Sequence, residues 1–142
     1  MSVFVRRLSL FVLPGLLSAT TVVAAPPPPV EGPRQFSLDC VSTDAAARHF
    51  AIDVNLDLGS HYSDFHGLGP LGEADGRRIV FRIPDAAAGS FKEDEYLPQT
   101  GELFWDRLPA DGQPRPMPGA TCKAGPPRPG FGATARYQPP TR

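Results

Sequence analysis

The stretch Ser60-His61-Tyr62-Ser63-Asp64-Phe65-His66-Gly67 sets two of the chain's three histidines on either side of an aspartate. Imidazole nitrogens and carboxylate oxygens are the donors that zinc and copper sites use. His61, Asp64 and His66 are therefore candidate metal ligands, and His49 is a fourth if the chain folds back. Regular structure would keep them apart. On a strand, side chains five residues apart leave opposite faces, and on a helix they sit about 140° apart. Only an irregular loop brings the three together, and Gly59, Gly67 and Gly69 permit one. The competing reading is a solvated, glycine-framed loop leaving the strand that precedes it.

Other chemistry is thinly represented. Ser60, His61 and Asp64 have the residue types of a catalytic triad, but they are near neighbours and no G-x-S-x-G elbow accompanies them. Lys92-Glu93-Asp94-Glu95 reads as a solvated charge run before a strand. No glycine-rich phosphate motif opens a helix, so no cofactor is expected. Residues 99–105, QTGELFW, hold a tight turn at Thr100-Gly101 followed by Leu103, Phe104 and Trp105. If side chains alternate there, one of Phe104 and Trp105 points outward, as an anchor for a partner or as a cover for the barrel edge. Thr100, Gly101, Phe104 and Trp105 are thus the candidate partner-binding residues.

Strands must position all of these groups. In His49-Phe-Ala-Ile-Asp-Val-Asn-Leu-Asp-Leu58 the apolar residues Phe50, Ile52, Val54, Leu56 and Leu58 alternate with His49, Ala51, Asp53, Asn55 and Asp57. That period of two predicts a strand with one face in the core and the other in water. Phe36, Leu38 and Cys40 repeat the pattern, as do Ile79, Phe81 and Ile83 between Arg78 and Arg82. Asp75-Gly76 is a hairpin-type turn signal, residues 95–108 read as two strands joined near Pro98 to Gly101, and residues 120–122 as a short closing strand. Asp44 and Asp85, each followed by three alanines, could cap single helical turns. The prediction is an all-β domain at residues 35–124, an antiparallel meander of five to seven strands curled into a small barrel or sandwich. Its core is Phe36, Leu38, Phe50, Ile52, Val54, Leu56, Ile79, Phe81, Ile83, Leu103 and Trp105, which leaves little room for a carrier's ligand cavity.

The flanks indicate export. Arg6-Arg7, an apolar run from Leu8 to Val23 and small residues to Ala24 have the order of a helical signal peptide at residues 1–24. The run is broken by Pro14 and Gly15, too short for a retained membrane span. Residues 25–34 form a proline-rich leader, and residues 125–142 a Pro/Gly-rich tail that is disordered or draped over the surface. Two of the 14 basic residues leave with the signal and none of the 15 acidic ones. The remaining chain is mildly acidic, with no footprint for nucleic acid or an anionic membrane. Cys40 and Cys122, in an oxidising periplasmic or extracellular setting, are expected to form one disulfide.

With its strand ending in Cys40, residues 50–58, the Thr-Gly-Glu-Leu turn and the closing Gly-Ala-Thr-Cys, the chain resembles small exported bacterial β proteins of no assigned activity. It also has a fainter similarity to periplasmic inhibitors of C-type lysozyme. That resemblance implies an inhibitory loop of Ser-Gly-x-x-Tyr type, for which Thr100-Gly101-Glu102-Leu103-Phe104 stands with Thr and Phe replacing Ser and Tyr. The leading expectation is a non-enzymatic exported domain that binds an unidentified protein. The alternatives are a lysozyme inhibitor and a metal-binding protein.

Overall fold

The computed structural model describes residues 23–85, 89–110 and 112–141. The signal peptide, apart from its last two residues, and the three alanines after Asp85 lie outside them. Eight strands follow in order: β1 (Gln35–Ser42), β2 (His49–Asn55), β3 (Ser60–Ser63), β4 (Gly67–Ala74), β5 (Ile79–Asp85), β6 (Ser90–Leu97), β7 (Glu102–Phe104) and β8 (Ala120–Gly125). Each pairs antiparallel with the next, and β8 pairs with β1, so the meander is a closed barrel. Closure removes the two edges that an open sheet would expose.

The predicted period-two faces point inward as read. Phe36, Leu38, Phe50, Ile52, Val54, Ile79, Phe81 and Leu103 form the core with Tyr96, Ala120 and the cystine, and Leu56 and Trp105 pack against it half-buried. Cys40 and Cys122 face each other in register across the β1–β8 seam and are disulfide-bonded. The turn at residues 98–101 and the closing strand stand where the sequence placed them.

Five sequence readings change. The strand from His49 ends at Asn55, because Asn55 Oδ1 accepts the Leu58 N–H and turns the chain at Leu56–Gly59. The stretch read as a loop after it is strand β3 and the β3–β4 turn. The Lys92–Glu95 run lies inside β6. After Asp44 comes a turn, Ala47 N–H to Asp44 C=O at 3.1 Å, rather than a helix.

The fifth change concerns water. The far half of the outward face of β2 is dry: Asp53 is 0% exposed and Asn55 2%, while His49 is exposed. What covers the dry half is part of the proline-rich tail, residues 128–133. Arg128 Nε donates to both carboxylate oxygens of Asp53 at 2.9 and 3.2 Å. The Gly132 N–H donates to the same carboxylate at 2.8 Å, and Asn55 Nδ2 donates to the Ala133 carbonyl at 3.0 Å. Gly132 lies where the tail crosses the Tyr62 ring, and a Cβ there would meet that ring at 2.4 Å. On the other side of the barrel, Glu95 is buried on an outward position. It takes the Leu108 N–H at 3.0 Å and lies 3.3 Å from Arg107 and 3.5 Å from Arg78. Phe104, its cross-strand partner on β7, is 2% exposed.

Two stability outcomes follow. Replacing both Cys40 and Cys122 by Ala should cost up to about 4–5 kcal/mol, the chain-entropy value for a loop of this length, read from urea unfolding. Arg128→Ala strands the Asp53 carboxylate and should cost about 3 kcal/mol, whereas Asp64→Ala, at the exposed end of the same arginine, should cost about 1 kcal/mol. Equal losses for the last two would show that Asp53 does not hold the tail.

Candidate functional site

Antiparallel order assigns each connection to one end of the barrel. The 43–48 loop, the β3–β4 turn at 64–66 and the segment after β7 share one end. Residues 56–59, 75–78 and 98–101 share the other. The candidate partner residues are thereby divided. Thr100 and Gly101 sit at the second end, with the Thr100 hydroxyl bonded to Glu102 at 2.9 Å. Trp105 sits at the first, and Phe104 is buried in between. The Thr-Gly-x-x-aromatic stretch therefore does not present its aromatic at the surface.

The proposed ligands are divided as well. His61 is cross-strand partner of the core residue Val54, so its ring points into the barrel and is 1% exposed. It fits because Gly69, its partner on β4, has no side chain: a Cβ there would meet the ring at 2.7 Å. Asp64 lies on the outer side, accepting the Ala51 N–H at 2.8 Å and Arg128 Nη2 at 2.7 Å. That arginine holds its carboxyl below the usual carboxylate range. The sheet separates the two, so the convergence a metal would need does not occur. Among the described residues no group of three or more His, Cys, Asp or Glu is placed to hold a metal ion. His49 points outward and is exposed.

His61 and His66 do share a feature that spacing alone did not show. Both line a small pit at the first end, together with Asp94, Ser63, Ile83 and the rings of Phe50, Phe65, Phe81 and Trp105. Asp94 reaches it because it is the cross-strand partner of Phe81 on β5 and so points inward from β6, 5% exposed. Lys92, two residues earlier on the same face, stands half-exposed at the rim. Its Nζ lies 3.7 Å from Asp94 Oδ1, beyond hydrogen-bonding reach. The pit leaves about 10 Å³ for the centre of a guest, room for one group the size of water.

Two of its polar atoms have no partner: Asp94 Oδ1 and His61 Nδ1. Nδ1 has no hydrogen-bond partner, and the backbone of Pro70, which as a proline can only accept, acts on the ring; the neutral tautomer that suits both carries its proton on Nε2 and leaves a lone pair on Nδ1. Burial holds His61 down to about 4, and burial together with the charge of Lys92 also lowers His66. Burial raises Asp94 to about 7, with Lys92 pulling against it and Asp106 adding to it. At neutral pH both histidines are neutral, and Asp94 is divided between its acid and its anion.

Above the pit, Phe65 is 51% exposed. Its ring lies 4.8 Å from that of Phe50, which lies 5.8 Å from Trp105. The Arg48 guanidinium sits 5.9 Å from the centre of the Phe65 ring. Set against family models, curated proteins and solved structures, the chain matches none. The site is read from its own chemistry. Asp94 and Phe65 were the residues that sequence reasoning missed. Asp94 was hidden in a run of charges and Phe65 between two histidines, and only counting back by two from the apolar Tyr96 along a strand signals that Asp94 points inward.

The two shifted groups act oppositely on stability. Asp94 binds its proton more tightly folded than unfolded, so its contribution is full below about pH 4 and is lost as pH rises to about 7. His61 binds its proton less tightly when folded, so stability rises between about pH 4 and its ordinary value of 6.5. In the wild type the two slopes offset each other. Relative to wild type, Asp94→Asn should gain stability with rising pH across that window and His61→Gln should lose it, each by a few kcal/mol at most, about 1.4 per unit of pH. Parallel pH profiles for the two variants in thermal unfolding would refute the assignment.

Proposed function

We propose that the chain is an exported, non-enzymatic barrel domain that binds a protein partner through the Phe65 end. The observation that carries this reading is the aromatic row from Phe65 through Phe50 to Trp105, exposed at one terminus and anchored in the core at the other. Exposed phenylalanines usually cost solubility, yet this one is held firmly out. The Phe65 N–H donates to Ser63 Oγ at 3.2 Å, and Asp64 ties the turn to the Ala51 N–H. A rigid aromatic beside an arginine has the make-up of a binding hot spot, since little side-chain freedom remains to be lost on association.

The remaining elements of the reading have their own supports. A disulfide between the first and last strands fits the periplasm or the extracellular space, and the amino-terminal leader has the order of an export signal. The pit is too small for a substrate and a reacting water together, which favours binding over catalysis. A filled barrel interior likewise disfavours a carrier of bulky ligands.

Photo-crosslinking tests it. With p-benzoylphenylalanine in place of Phe65, the exported protein should yield a discrete covalent adduct with one other protein. The same probe in place of Thr100, at the opposite end, should yield none. No adduct at residue 65, or equal adducts at both positions, would remove this reading.

A further inference from the structure

The pit presents two buried acceptors with no hydrogen-bond donor, which sets the chemistry of what would fill it. Asp94 Oδ1 and His61 Nδ1 each lack a partner, and Ser63 Oγ, which takes the Phe65 N–H, lines the same space. A hydroxyl or carboxylate guest would bring further lone pairs to this wall. An ammonium group brings three N–H donors, no acceptor and a positive charge. It is the size of a water molecule, and so is the space. The walls are the rings of Phe50, Phe65, Phe81 and Trp105, whose faces attract a cation within about 6 Å. Arg48 already takes up such a position over the Phe65 ring.

We propose that this pit binds the ammonium head of a lysine side chain presented by the partner. This rests on the partner-binding reading above and names the chemistry that the Phe65 end recognises. The apolar stem of the lysine would run along Phe65 and Trp105 while its head meets Asp94, with the charge-assisted bond providing the orientation. The groups facing Asp94 permit it. His61 from β3 is neutral and turns its lone pair inward, and His66 from the β3–β4 turn is held neutral. Asp106, after β7, adds negative charge. Among the described residues, Lys92 on β6 is the cation paired with Asp94. Half-exposed and too far for a hydrogen bond, it is a displaceable competitor.

Trp105 is the chain's single tryptophan and lines the pit, so its fluorescence reports on the guest. The purified protein, at about pH 8 where Asp94 is ionised, is titrated with n-butylammonium and, as a neutral isostere, with n-butanol. A saturable fluorescence change is expected with the ammonium only. Asp94→Asn should weaken it about tenfold or more, as loss of a charge-assisted bond does. Lys92→Met should tighten it severalfold by removing the resident competitor. Phe65→Ala, a surface change that leaves the barrel packed, should weaken it about threefold through the lost ring. An equal response to butanol, no response at all (a water-filled pit), or unchanged binding in Asp94→Asn would overturn the proposal. The crosslink at residue 65 is independent of these titrations. An adduct there without ammonium binding removes the lysine assignment alone, and absence of the adduct removes the partner reading itself.

Discussion

The pairing of β1 with β8 is the contact on which the rest of the structure depends. Seven of the eight strand pairings join neighbours along the chain, and only this one joins its two ends. Bringing those ends together costs loop-closure entropy that the local hairpins do not. The disulfide is placed where that cost falls, between cross-strand partners in the middle of the seam. Its position also compensates for a weak neighbour. β7 has three residues and only two register pairs with β8, so the wall beside the seam has few ladder bonds of its own. With the seam closed, inward and outward positions are fixed all round. His61 and Asp94, from strands that do not pair with each other, are then held around one space.

Closure leaves a second problem, since several outward positions are not wet. The same solution appears on both sides of the barrel. Asp53 on β2 takes an arginine and a backbone N–H from the tail, Arg128 and Gly132. Glu95 on β6 faces an arginine and takes a backbone N–H from the segment after β7, Arg107 and Leu108. These covering segments are rich in proline, lack many N–H donors and form no ladder. One buried carboxylate per segment gathers the few donors they have and fixes their path. The carboxylates thus do for irregular chain what cross-strand pairs do for the strands. The arrangement also makes Asp53 intolerant of losing Arg128, because a buried charge without its partner is far more costly than the pair is favourable, whereas Glu95 has Arg78 beside it as well as Arg107.

These two devices also explain what could be read from the sequence. Strands β1, β2 and β5, the turn at 98–101, the closing strand and the disulfide were legible, because period two, turn residues and paired cysteines are local signals. β3 and β4 were not: Ser60–Ser63 and Gly67–Ala74 are rich in serine, glycine and proline, poor strand formers, and become strands by pairing with neighbours that are good ones. The alternation in β2 was read as one dry face and one wet. It establishes only that the faces differ, and what covers Asp53 is 75 residues away in a segment with no pattern. The site followed the same rule. His61 and His66 stood out by residue type, but their chemistry depends on Gly69 opposite one ring and on Asp94 from a strand that looked like a charged loop.

The pit then raises an energetic question that packing alone does not answer. An interior position on β6 filled by leucine would be worth roughly 1.5–3 kcal/mol of burial. Asp94 forgoes that, and leaving an acceptor unpaired costs about 1–3 kcal/mol more. His61 adds a second unpaired acceptor, and it needs a glycine opposite, which is itself unfavourable in a strand. A small domain has a net stability of only about 5–15 kcal/mol, so two such positions in one space are a large concession. The cost is reversible in one way, by a guest that supplies donors where the wall has none. Placed at the mouth, beneath an exposed ring held rigid by its own turn, the unpaired acceptors are within a partner's reach. Deep in the barrel they would be a defect, but at this depth the stability they forgo in the free protein can be recovered on binding.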